Sequence, residues 1–190
     1  MIKNGTFLLI LLIGILPSQP LSAQIELSEA VMEKMEQMEL DFYQPLEHRF
    51  KSLKVVDNAF QSYDFALRQK KDKVDVRYEI LPDTGIIAGG FPHIAFTNRT
   101  LHLANNIDDE VAGSISILQI SEQELSDKYK ADWGAIAFFR PKLSFAPFQH
   151  CKLVALYREG AGYVYTFYLF NNVKTDLGDE YELLRFRAIE

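Results

Sequence analysis

The clearest pattern in the chain is two-residue alternation with no polar side. In Tyr163–Phe170 (YVYTFYLF), Tyr163, Tyr165, Phe167 and Leu169 fall on one face and Val164, Thr166, Tyr168 and Phe170 on the other. Both faces are largely apolar, so this strand is predicted to lie at the centre of a sheet, covered on both sides. Cys151–Arg158 (CKLVALYR) precedes it, with Glu159-Gly160-Ala161-Gly162 between them. Two β-branched and aromatic runs joined by a glycine-bearing loop form a hairpin, because glycine supplies the φ > 0 of a tight reversal. Trp133–Arg140 (WGAIAFFR) reads as a third strand. Of the chain's 24 aromatic residues (14 Phe, 9 Tyr, 1 Trp), 11 fall between Trp133 and Phe170. The heaviest packing is therefore expected there.

Upstream, the period changes. Over Glu26–Tyr43, Leu27, Val31, Met35, Met38 and Phe42 fall on one helical stripe, with Glu26, Glu29, Glu33 and Glu36 opposite. Ser28 is the candidate N-cap, and Pro45 is expected to end the helix. A methionine-rich face can adapt to partners, but packing on the domain's own sheet is the commoner use of such a stripe. Val55–Arg68 and Lys73–Leu81 read as two strands around the polar turn Gln69–Asp72. In the second, Val74, Val76, Tyr78 and Ile80 alternate with Asp75, Arg77 and Glu79, which predicts a strand with one wet face near the sheet's edge. Pro82–Gly85 reads as a turn. Pro92 suits the first position of a helix running to about Asn105. Val111–Ile120 is read as extended. Ser121-Glu122-Gln123-Glu124 is a capping box opening a short helix to about Lys130. Asn171–Gly178 reads as a loop, and Asp179–Glu190 fits either a helix or a last strand.

The first residues stand outside this pattern. Lys3, the apolar run Phe7–Leu16 and the breaker-rich Pro17–Ala23 have the order of a secretory signal peptide, with cleavage expected near Ala23. The run is shorter than the ~20 residues that span a bilayer, so no membrane span is expected after cleavage. The organisation predicted is a signal peptide at 1–23, an N-terminal amphipathic helix packed on the domain at 24–44, and an α+β domain at 45–190. Removing 23 of 190 residues leaves 190 − 23 = 167, which suits a single domain. Only Lys3 is lost among the 20 Lys and Arg, so the net charge becomes 19 − 26 = −7. That balance argues against nucleic acid and anionic membranes as partners. The single Cys151 excludes an intramolecular disulfide, so the exported domain must be held by packing.

Candidate chemistry is sparse. His93 and His102 are nine apart on one predicted helix and project from opposite faces, so they cannot share a metal. His48 lies in a polar stretch. His150 adjoins Cys151, but neighbours on a strand point to opposite faces, which leaves Cys151 as a small buried hydrophobe. Asn106, Asp108 and Glu110 begin like a calcium loop, but Val111 and Ile117 stand where such a loop needs Gly and Glu. Gly89-Gly90 before a helix matches neither phosphate-binding glycine pattern. Ser114 after Gly113 lacks a nucleophile-elbow context. Asn98-Arg99-Thr100 is a glycosylation sequon, meaningful only in a eukaryotic host. Asp132, Trp133 and Arg140 bracket an aromatic strand and are candidates to line a pocket mouth, with His93 as a further ligand-binding candidate. The bland reading is that Trp133 anchors the core and Asp132 caps a turn.

The run Ala131–Ala135 (ADWGA), the following Arg140-Pro141-Lys142 and the hairpin ending in Leu169-Phe170 resemble a pattern of uncharacterised exported bacterial proteins, over about the last third of the chain. The order of elements is similar to PsbP/DcrB-like (Mog1-like) domains. That resemblance implies a non-catalytic accessory or binding module. The expected fold is α+β: one antiparallel sheet of five or six strands with helices packed on it, in a single domain. The expected function is that of a secreted or periplasmic binding protein, with an unknown protein or small-molecule ligand and no cofactor or metal. Its surface is expected near the Trp133 end of the sheet, where aromatic density is highest. The alternative is a secreted hydrolase with a site near Asp132, His150 or His93. No nucleophile–base–orienter spacing supports that alternative.

Overall fold

In the computed structural model, residues 25–43, 49–58, 62–83, 91–104, 114–178 and 181–188 are described. The chain runs α1 (Glu29–Gln37), β1 (Leu40–Phe42), β2 (Phe50–Leu53), β3 (Phe65–Gln69), β4 (Asp75–Pro82), α2 (Pro92–Leu103) and β5 (Ser116–Gln119). It continues through α3 (Glu122–Glu124), a π-helical turn (Leu125–Tyr129), β6 (Trp133–Phe139), β7 (His150–Arg158), β8 (Gly162–Phe170) and β9 (Leu184–Phe186). Seven strands form one antiparallel sheet in the order β2-β3-β4-β8-β7-β6-β5, and β1 pairs with β9 in a separate two-stranded ribbon. The fold is the α+β architecture expected. The seventh strand of the main sheet is β2, which lies upstream of the strand expected to start at Val55.

β8 occupies the middle of the sheet, and every one of its residues is buried. The reversal into it follows glycine chemistry. Gly160 and Gly162 take φ of 73° and 128°, and a Cβ on Gly162 would stand 2.2 Å from the Leu81 carbonyl oxygen of neighbouring β4. Only glycine lets the two backbones approach that closely.

Alternation along β8 splits the interior into two layers. The first face carries Val164 and Tyr168, with Val76, Tyr78 and Ile80 of β4 and Val154 and Leu156 of β7. It is covered by Val31, Met35 and Met38, by Leu125 and Tyr129 of the π turn, and by Leu184 and Phe186 of the ribbon. The second face carries Tyr163, Tyr165, Phe167 and Leu169, covered by Phe96 and Leu103 of α2 and by Phe145. The methionine stripe thus packs on the domain's own sheet.

Local signals placed several boundaries correctly. Ser28 caps α1, its hydroxyl accepting from the Val31 N–H at 3.4 Å, and Ser121 caps α3, accepting from the Glu124 N–H at 3.2 Å. Other boundaries differ from expectation. α1 stops at Gln37, because Glu39 adopts a left-handed φ of 52° and turns the chain into β1. Phe42 is therefore a strand residue, meeting Phe65 edge-on at 5.6 Å. Pro45, expected as the helix terminator, lies outside the described residues, as do His48, Gly89-Gly90 and the Asn106–Glu110 loop. Between β2 and β3, residues 54–58 are irregular instead of part of one long strand. Leu184–Phe186 resolve the ambiguous C-terminal stretch as a strand.

The largest correction concerns β4. Its polar residues do not face water at an edge. β4 is an inner strand beside β8, and Asp75 and Glu79 are buried. Each polar group on that face is satisfied by a tertiary partner. Asp75 accepts from Nε and Nη2 along one edge of the Arg68 guanidinium, from the cross-strand position on β3. Arg77 lies over the rings of Tyr63 and Phe145 and donates to the Phe145 carbonyl at 3.2 Å. Burial lowers its pKa. Glu79 pairs with Arg99 of α2 at 3.0 Å. Alternation alone reads a polar row as solvated, whereas here each of its charged groups is held by a protein partner: Asp75 and Glu79 by arginines, Arg77 by two rings and a carbonyl.

Candidate functional site

Trp133 opens β6 and is half-buried. Its ring meets Phe96 of α2 edge-on at 5.7 Å. Asp132 is exposed but committed to the backbone: its carboxylate accepts from the Glu159 N–H at 2.8 Å, and its own N–H donates to the Tyr157 carbonyl at 2.9 Å. It clasps the tip of the β7–β8 hairpin. The aromatic density nearby is mostly core packing. Tyr163 and Tyr165 are buried and stacked with centroids 5.8 Å apart, while Trp133 and Tyr157 are partly open. His93 is exposed in the first turn of α2, beside the Phe91 ring at 5.7 Å.

These candidates do not form one site. α2 lies along β6, with Phe96 against Trp133 at one end and Ala104 bridging to Pro141 at the other. His93 therefore belongs to the Trp133 end. Arg140 follows the far end of β6, seven strand positions from Trp133, which is roughly 20 Å at about 3.3 Å per residue. His150 opens β7 at that same far end, since Phe139 pairs with Cys151 and Trp133 with Tyr157. The length of a strand separates Asp132 and His93 from His150, so the three cannot act on one substrate group.

The far end holds a cavity of about 730 Å³. Its origin lies in two chain paths. After β6 the chain crosses to the second face, where Phe145 packs edge-on against Phe167 at 5.7 Å. This leaves the ends of β6 and β7 open on the first face. After β8 the chain turns back beside them. The Asn171 side-chain oxygen accepts from the Gln149 N–H at 2.9 Å, and Asn172 closes the turn by accepting from Lys174 and Thr175. Val173, Thr175 and Leu177 thereby form the second wall.

Strand register decides which side chains meet in the cavity. Ser116, Phe138 and Lys152 are successive cross-strand partners, and His150 pairs with Phe170. One step beyond the Phe139–Cys151 pair, the register sets Arg140 opposite His150. The His150 and Phe170 rings stack at 5.3 Å, and the Lys152 ammonium sits over the Tyr168 ring at 5.5 Å. Burial lowers the pKa of Lys152, opposed by the nearby Glu182 carboxylate. Among the described residues Arg140 has no hydrogen bond or ion pair, and none of the described lining residues is acidic. A chain of net charge −6 thus concentrates Arg140, His150 and Lys152 around one apolar-walled hollow.

Cys151 contributes to the wall but is 1% exposed, and burial pushes its thiol far above the ordinary range. It is a packing residue, on the face opposite to His150. Among the described residues, no group of three or more His, Cys, Asp or Glu is placed to hold a metal ion. No helix among them is long and apolar enough to cross a membrane. Sequence reasoning singled out Arg140 and His150 separately and missed Lys152, Phe138, Phe170 and the 173–177 wall. One legible sign was that His150 and Lys152 share a strand face, ahead of Val154 and Leu156, which lie in the core. Comparison of the chain with protein-family models, curated proteins and solved structures finds no match to any of them.

Proposed function

We propose that this chain is an exported, non-catalytic binding protein that holds a small molecule in the cavity at the Arg140 end of its sheet. The observation that carries the reading is the cavity itself. Its volume of about 730 Å³ falls in the range of small-molecule sites, and it combines apolar walls with a few converging polar groups. The rigid core beneath supports it, because β7 and β8 are locked by a nine-residue register. The resemblance in element order to PsbP/DcrB-like domains and the signal-like segment at residues 1–23 point the same way. The N-terminal segment supports a location in the periplasm or outside the cell, which the mass of the exported protein checks: loss of residues up to about Ala23 is expected, and an intact Met1 contradicts export by this route.

Binding is tested by thermal shift of the purified protein with octanol, octanoate and octylammonium. At least one of the three is expected to raise the melting temperature. Ser116→Trp, which adds a ring at an exposed strand position opposite Phe138, is expected to remove that effect while leaving the unliganded melt in place. A wild-type protein indifferent to all three compounds contradicts the reading, and so does a shift that Ser116→Trp leaves intact.

A further inference from the structure

We propose that the ligand of this cavity is a small amphipathic anion, its charged head held among Arg140, Lys152 and His150 and its apolar body laid along Phe170, Val173 and Leu177. This inference rests on the binding reading and adds the chemical class of the ligand.

Three observations carry it. The first is charge. The described lining residues include Arg140 and Lys152 and no carboxylate, although acidic residues outnumber basic ones by 26 to 20 in the whole chain. A local excess of positive charge in a concave, partly apolar site raises the local concentration of anions and strengthens their binding. The second is availability. Arg140 has no ion-pair or hydrogen-bond partner among the described residues, whereas most arginines of the domain do. Arg68 is held by Asp75, Arg99 by Glu79, Arg158 by Glu39 and Arg187 by Asp41. A guanidinium left open at a cavity wall offers a fork of donors that fits a carboxylate or similar oxyanion. The third is the division of the walls. The cationic groups come from the ends of β6 and β7, while Phe170, Val173 and Leu177 come from the end of β8 and the turn after it. One side of the cavity thus suits a charged head and the other an apolar chain. A neutral apolar ligand would leave the Arg140 fork unused, and a cation would meet like charge.

The test compares octanoate, octanol and octylammonium by calorimetric titration into the full-length protein. Octanoate is expected to bind about 10–100-fold more tightly than octanol, the range a charge-assisted hydrogen bond supplies. Octylammonium is expected to bind more weakly than octanol. Added salt is expected to weaken octanoate and leave octanol unchanged, because only the first interaction is screened. Arg140→Gln is expected to bring octanoate down to about the octanol affinity, and Lys152→Gln provides a second variant with the same expected direction. Octanol binding as tightly as octanoate, or octanoate indifferent to salt and to both variants, overturns the anionic class. If those compounds are still excluded by Ser116→Trp, the binding reading survives that failure. Absence of binding by all three overturns the binding reading itself.

Discussion

Phe167→Ala is expected to cost about 3–5 kcal/mol of stability. Phe167 is 0% exposed and sits in the middle strand, paired with Arg77 on one side and Leu153 on the other. Its ring meets Phe145 and Tyr165 with centroids at 5.7 and 6.5 Å. Neighbours on both flanking strands are fixed by their ladders, so the cavity left by the ring cannot collapse, and the cavity cost adds to the lost transfer energy. Denaturant melts read the difference. A loss under about 1 kcal/mol, the size of a typical surface change, would mean that β8 is not the core strand.

The second large effect is expected in the polar row of β4, and it is asymmetric. Arg68→Ala is expected to cost about 3 kcal/mol, because it leaves the Asp75 carboxylate buried without the guanidinium that holds it. Asp75→Ala is expected to cost less, about 1–2 kcal/mol. The Arg68 head is 38% exposed and recovers hydration once its partner is gone. The exposed neighbour Lys51 on β2, registered opposite Arg68, serves as control, and Lys51→Ala is expected to stay within about 0.5 kcal/mol. Equal, small losses in all three variants would return β4 to the solvated strand that its alternation first suggests.

That contrast shows how far the sequence carries the fold. Where apolar residues fill both alternating rows, as in Tyr163–Phe170, the pattern has one physical solution, and β8 lies where it predicts. Caps are equally local: Ser28 and Ser121 each satisfy a backbone N–H within three residues, so spacing alone identifies them. Polar rows are ambiguous, because a carboxylate can be satisfied by water or by a buried arginine. For Asp75 the partner was within reach of sequence reasoning, since Arg68 falls opposite it in the hairpin. For Glu79 it was not, since Arg99 arrives from α2 through tertiary packing. The helix boundary failed for a related reason. Met38 and Phe42 continue the helical stripe of α1, and nothing in a glutamate announces the left-handed turn at Glu39.

The candidate site was legible only in fragments. Trp133 drew attention through its aromatic neighbours, yet those rings are mostly consumed by the second-face core. Arg140 and His150 were each visible, but their meeting depends on the antiparallel register of β6 and β7, and the opposite wall comes from the turn after β8. A pocket assembled from the ends of four strands leaves no periodic trace in any one of them.

Ligand binding is expected at the Arg140 end of the sheet and not at the Trp133 end. Backbone amide shifts recorded by NMR during an octanoate titration test it most directly. The predicted result is a set of shifts confined to residues 114–116, 138–140, 149–152 and 170–177, with the Asp132–Trp133 and Tyr157–Tyr163 amides unmoved. Shifts centred instead on Trp133, Tyr157 and the first turn of α2 would contradict the account.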